Sequence, residues 1–285
     1  MAERDFRTLL EGQWSQNRFL CVGLDSDFEK IPEIVRRNDA EETFVAFNRA
    51  IIDATKDLVC AYKPNSAFYE ARGDVGWRAL RQTIQYINEQ APEVPVILDA
   101  KRGDMDNTNH EYVEAVFGHL KVDALTVHPY LGKEALEPFL SRKEKGIIVL
   151  CRTSNAGAGE FQDLEVSDPS TPLGTSPLYK IVARHVAENW NAHGNCGLVV
   201  GATYPEEMKI VREVAPDMPI LVPGIGAQNG NVVRSVAAGK NTKGQGLIIA
   251  ATRVIIFASS GKDFADAARK KAEELNGEIM DALVQ

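Results

Sequence analysis

A repeat limits what this chain can fold into more than any other feature: a short β-rich apolar run, then a stretch with helical spacing, over and over. The runs are 19–25, 58–63, 96–101, 124–128, 146–151, 197–201, 220–223 and 246–250, eight in all. Between them, segments such as 42–57 (Phe44, Phe47, Ala50, Ile51, Ala54) and 75–90 (Trp77, Leu80, Ile84, Ile87) set apolar residues three and four apart, along one face of a helix. Alternation of this kind needs parallel strands joined by helical crossovers, and eight such units closing on themselves make a (β/α)8 TIM barrel, preferred here to an open doubly wound sheet. The chain, 1–285, reads as a single α/β barrel domain opened by a helix over about 3–17.

One interval is too long for a plain crossover. Between the fifth and sixth runs lies 153–177, rich in Gly, Ser, Asp and Pro and without helical or strand period, which predicts a long lid-like loop. It follows the C-terminal end of a strand, where barrel enzymes build their sites. Gly244 and Gly246, before the eighth run, predict local flexibility.

Net charge of −8 gives no general field for nucleic acid or an anionic membrane, so a phosphate site has to be built locally. No apolar run approaches the roughly 18 residues of a membrane span, and the mixed-charge N-terminus fits no secretory or transit signal, so a cytoplasmic protein is expected. Cys21, Cys60, Cys151 and Cys196 are far apart and predict buried free thiols. None of the five histidines sits in a metal-binding spacing, so no metal site is expected, and His128 reads as a strand-end hydrogen-bonding residue.

The first three runs end in charge: Asp25, Lys63, and Asp99 with Lys101. Alternation along a strand puts Asp99 and Lys101 on one face and Ala100 on the other. Adjacent strand ends converge at a barrel mouth, gathering Asp25, Lys63, Asp99 and Lys101, with Asp104 just beyond. Buried ion pairs add little net stability over apolar packing, so an alternating array indicates chemistry. Flanking carboxylates favour protonated lysines, which act as acids and electrostatic groups and not as amine nucleophiles. Separately, Gly224-Ile-Gly226-Ala-Gln-Asn-Gly230 follows the seventh run, where barrel phosphate sites lie and where glycines let backbone N–H groups approach an anion. It is no dinucleotide fingerprint, because Asn229 stands at the third glycine.

Asp99-Ala-Lys101-Arg-Gly-Asp104 resembles the Asp-x-Lys-x-x-Asp motif of orotidine 5′-phosphate decarboxylases. Segments 19–25, 62–65 (Tyr-Lys-Pro-Asn), 125–130 (Leu-Thr-Val-His-Pro-Tyr), 151–155 (Cys-Arg-Thr-Ser-Asn) and 223–228 (Pro-Gly-Ile-Gly-Ala-Gln) resemble the bacterial branch of that family, in order, over about residues 18–260. The resemblance implies decarboxylation of orotidine 5′-phosphate to uridine 5′-phosphate, without cofactor, by a monofunctional enzyme. It implies Lys101 as proton donor, Asp99, Asp104 and Lys63 completing the charge array, and Asp25 on a ribose hydroxyl. It implies Ser154 on the pyrimidine edge, and Gly226, Gln228 and Arg253 on phosphate. It also implies a homodimer in which Asp104 and Thr108 enter the neighbouring site. Val254 departs from the family's usual glycine, and 250–252 (Ala-Ala-Thr) from a more polar run, which bears on phosphate affinity. The readings left beside this one are a Mg2+-dependent sugar-phosphate decarboxylase, a Schiff-base aldolase using Lys63 or Lys101, and a noncatalytic nucleotide-binding protein.

Overall fold

Each of the eight apolar runs is a parallel strand. The computed structural model describes residues 4–226 and 230–284. In chain order the strands are β1 (Leu20–Gly23), β2 (Ala61–Lys63), β3 (Ile97–Arg102), β4 (Ala124–Val127), β5 (Gly146–Arg152), β6 (Glu165–Ser167), β7 (Thr175–Pro177), β8 (Cys196–Val200), β9 (Ile220–Val222) and β10 (Leu247–Ala251). Eight of them share one sheet in the order β2-β1-β10-β9-β8-β5-β4-β3. Parallel bridges Tyr62–Val96 and Asn65–Asp99 join its two ends, which makes the sheet a barrel. Strands covered by helices outside and packed side chains inside are buried on both faces, which is why β4, β8, β9 and β10 are buried at every residue.

The N-terminal ends of the strands are closed by the helix Phe6–Ser15, capped by Asp5, whose carboxylate accepts the Thr8 N–H. Its apolar stripe of Phe6, Leu10 and Trp14 is buried. Phe6 lies where a side chain on Gly146 would stand, and the Trp14 indole donates to the Leu247 carbonyl at 2.8 Å. Arg4 adds a bidentate pair with the fully buried Asp123, at 2.9 and 2.8 Å. Around the outside, the last helix, Phe264–Val284, returns against Ala40–Thr55, with Phe47 and Phe264 stacked at 5.6 Å. The C-terminal strand ends stay open.

The segment after β5 departs from the sequence expectation, because it carries structure of its own. A turn of 3-10 helix (Ala156–Ala158) and one of α-helix (Gly159–Gln162) lead into an antiparallel hairpin of β6 and β7. What holds it is polar: Arg184 donates to Asp168 at 2.8 Å, and Asp168 also accepts from Ser170 at 2.6 Å. Strands of three residues pinned by one buried carboxylate leave no apolar period to read.

Candidate active site

The open strand ends bring together Asp25, Lys63, Asp99 and Lys101. Lys63 ends β2, is only 4% exposed, and sits between two carboxylates: its Nζ is 3.2 Å from Asp99 Oδ2 and 3.8 Å from Asp25 Oδ1. Lys101 Nζ donates to Asp99 Oδ1 at 2.6 Å. Asp99 therefore uses one oxygen for each lysine. Asn65 Nδ2 adds a contact to Oδ2 at 3.3 Å and the Thr126 hydroxyl donates to Oδ1 at 2.9 Å.

Burial pulls the Lys63 ammonium toward neutrality, but the Asp25 and Asp99 carboxylates outweigh it and hold the pKa above its ordinary value. Burial works against the Asp99 charge too, yet Lys63, Lys101 and the hydrogen bonds from Lys101 and Thr126 keep its carboxyl well below the usual range. Asp25 goes the other way: burial, aided by repulsion from Asp99, lifts its pKa above 3.8 against the pull of Lys63, and its Oδ1 has no donor among the described residues. An ionised group with a raised pKa weakens the fold above that pKa, and the penalty fades as pH falls toward 3.8. Asp25→Asn is therefore expected to raise the melting temperature at pH 7.5, with the gain fading at acid pH. A lower melting temperature at pH 7.5, from scans at several pH values, would show that Asp25 is chiefly Lys63's counter-ion.

The route by which Lys101 meets Asp99 differs from simple strand alternation. Lys101 has φ +48°, in the left-handed region, and the β3–β4 register shifts between Leu98 and Arg102. Beyond it, Gly103 lies against the His128 ring, whose Nδ1 accepts the Tyr130 N–H at 3.4 Å. Asp104 is exposed, and its carboxylate accepts the Met105 N–H at 2.7 Å. Among the described residues Asp104 makes no ion pair, so Lys101 meets only Asp99 within one chain. Thr108 is half-buried on the helix Asp106–Val113. Asn109, to which the sequence reading gave no role, ties that loop down: it holds the Asp104 backbone at 3.0 and 2.6 Å and the Ala135 carbonyl at 2.6 Å.

Ser154 follows β5 and packs on Gly201, which has no room for a side chain. Its neighbours anchor the excursion: Arg152 pairs with Asp163 at 2.9 Å and stacks on Tyr204 at 3.7 Å, and the Thr153 N–H donates to Gln162 at 2.9 Å. Two strands further round the mouth, after β9, Gly226 has φ +79° and lies against Val254, so the residue that departs from the family pattern walls the glycine turn. Arg253 opens a short helix, exposed and without an ion-pair partner among the described residues. Thr252 fills the space above Gly23. Gln228 lies outside the described residues.

The sequence profile of the orotidine 5'-phosphate decarboxylase / HUMPS family matches residues 18–271. The chain belongs to that family. Within it, the chain is 49% identical over 271 residues to an orotidine 5'-phosphate decarboxylase of Cellvibrio japonicus, covering 95% of this chain and 96% of that one. It is 50% identical over 276 residues to one of Thermomicrobium roseum, covering 96% and 94%. The solved structure of Leishmania donovani OMP decarboxylase superposes with a TM-score of 0.81 at 36% identity, over 97% of this chain and 99% of that chain. The family's structures share the barrel described above, and the charged strand ends lie inside the matched region.

Proposed function

We propose that this chain decarboxylates orotidine 5′-phosphate to uridine 5′-phosphate, the last step of UMP synthesis. The observation that carries the reading is the Lys63–Asp99–Lys101 array, at the same end of the barrel as the Gly226 turn and Arg253. The relatives named above are orotidine 5'-phosphate decarboxylases, and neither the sugar-phosphate decarboxylase nor the aldolase reading gains support. An imine would need a neutral lysine, and Asp25 and Asp99 hold Lys63 charged.

Breaking the C6–carboxylate bond releases CO2 and leaves its electron pair on C6, in an sp2 orbital that no ring carbonyl delocalises. The Lys101 ammonium, aimed by Asp99, stabilises that charge and then donates its proton to C6; the amine regains a proton from solvent. A carboxylate about 4 Å from the substrate's own carboxylate raises the ground state by about 4 kcal/mol at an effective dielectric of about 20. Enzymatic rate enhancements correspond to roughly 8–23 kcal/mol, so most of the effect comes from the cation and from phosphate binding expressed in the transition state. In this reading Asp25 binds a ribose hydroxyl, Ser154 the pyrimidine edge, and Gly226, Gln228 and Arg253 the phosphate, with 153–177 closing over the base. The reaction calls on no cofactor. Orotate absorbance should fall when EDTA-treated protein meets orotidine 5′-phosphate; a rate that returns only with Mg2+ would overturn the reading.

We read the chain as one barrel domain that works as a homodimer, with Asp104 and Thr108 completing a second copy's site. Two features support this: among the described residues Asp104 makes no ion pair with its own Lys101, which meets Asp99 alone, and Met105, Tyr130 (90% exposed) and Leu131 form apolar surface on the neighbouring loops. Four buried free cysteines suit a reducing, cytoplasmic setting. If sites are shared, co-refolding inactive Lys101→Ala with inactive Asp104→Ala should restore about a quarter of wild-type activity, because half of randomly paired dimers carry one intact site. A mixture that stays inactive would place Asp104 outside any shared site.

A further inference from the structure

We infer that Thr126 is a positioning residue for the decarboxylation: its hydroxyl builds the bulge that presents Lys101 and sets the rotation of the Asp99 carboxylate. The inference rests on Lys101 being the proton donor. Along β3 and β4 the register runs Ile97–Ala124 and Leu98–Leu125, then resumes at Arg102–Val127. Thr126 alone therefore faces Asp99, Ala100 and Lys101, and the backbone ladder has no partner for the extra residues.

The hydroxyl supplies that partner. Thr126 is 1% exposed, and its Oγ1 accepts the Ala100 N–H at 3.1 Å and the Lys101 N–H at 3.0 Å while donating to Asp99 Oδ1 at 2.9 Å. Two lone pairs and one proton are all a hydroxyl has, and each is used. Holding the Lys101 N–H keeps that residue at φ +48°, a conformation a side chain rarely adopts unless its surroundings enforce it. Donation to Oδ1 fixes the oxygen that Lys101 grips and leaves Oδ2 to Lys63. Without the hydroxyl, β3 is free to re-register, and a shift of one residue turns its side chains to the other face.

The test is steady-state kinetics of Thr126→Val, Thr126→Cys and Thr126→Ser, each well below its own melting temperature, beside uridine 5′-phosphate binding. Thr126→Val keeps the shape and removes the hydrogen bonds; kcat should fall about 100-fold, as for a misplacement near 1 Å, with the nucleotide Kd changed less than about threefold. Thr126→Ser should restore kcat to within about fivefold of wild type, and Thr126→Cys, a weak donor and acceptor of similar size, should fall between. A purely structural threonine would lower the melting temperature and leave kcat per folded site unchanged, which overturns the inference; if Thr126→Val does not fold, wild-type kcat in Thr126→Cys does the same. Lys101→Ala in the same assay separates the two claims. An active Lys101→Ala overturns the proton-donor reading and this one together, whereas an inactive Lys101→Ala with a fully active Thr126→Val overturns this one alone.

Discussion

Lys101→Ala is expected to lower kcat for orotidine 5′-phosphate by ~10^4-fold or more while uridine 5′-phosphate still binds. The size follows from two functions carried by one ammonium. A positioned general acid contributes about 10^2–10^4-fold, and a preorganised charge aimed at a developing anion about 10^2–10^3-fold. Binding should survive because the side chain is half-exposed at the mouth and Asp99, its ion-pair partner among the described residues, keeps Lys63, Asn65 and Thr126. The fold should survive too, since alanine at φ +48° carries the same backbone strain as lysine. Orotate absorbance gives kcat, and calorimetry with uridine 5′-phosphate gives the Kd. Turnover within tenfold of wild type would remove Lys101 from the proton-transfer step and return the choice to Lys63.

The barrel was legible because its strands are buried on both faces, so each appeared as a bounded apolar run, and the interruptions by Asp25, Lys63, Asp99 and Lys101 marked the mouth. Strand edges were less clear: β2 is only Ala61–Lys63, although Leu58, Val59 and Cys60 are as apolar, because apolarity reports burial and not ladder pairing. The contact between Lys101 and Asp99 followed from alternation, but its cause did not. A bulge and a positive φ at a lysine are set by Thr126 on the next strand, and no pattern within β3 encodes them. Asn109 and Arg152 were hidden for a similar reason: each acts on backbone or loop partners brought near only by the fold. Thr126 and Arg152 both lie in segments that resemble the family, 125–130 and 151–155, but no residue type or spacing there reveals what either side chain holds.

Arg212→Met is expected to destabilise the protein by about 4 kcal/mol, a drop of roughly 10 °C in melting temperature, without changing kcat in the cold. Arg212, on the helix Pro205–Val214, is buried without a carboxylate partner among the described residues. Its guanidinium donates to five carbonyls: Gly239 at 2.7 Å, Ala215 at 2.9 Å, Pro216 at 3.1 Å, Met218 at 2.7 Å and Gly246 at 2.9 Å. Burial pulls its pKa down to about 10, which still leaves it charged at neutral pH. Methionine fills similar space but strands the Gly239, Pro216 and Met218 carbonyls, whereas Gly246 and Ala215 keep the Ile220 and Met218 N–H donors; each buried acceptor left unsatisfied costs about 1–3 kcal/mol, offset in part by no longer burying a charge. Gly246, at φ +90° against the guanidinium, is clamped and not the flexible point its sequence implied. The five carbonyls border the N-terminal ends of β9 and β10, the units whose far ends carry the Gly226 turn and Arg253. The loss should therefore appear in melting curves and not in turnover at low temperature, since the bottom of a barrel supports stability and the top carries the chemistry. Arg212→Lys, a point donor reaching fewer carbonyls, should fall between; a Met variant that melts with wild type would mean the carbonyls are satisfied by water and the clamp adds nothing.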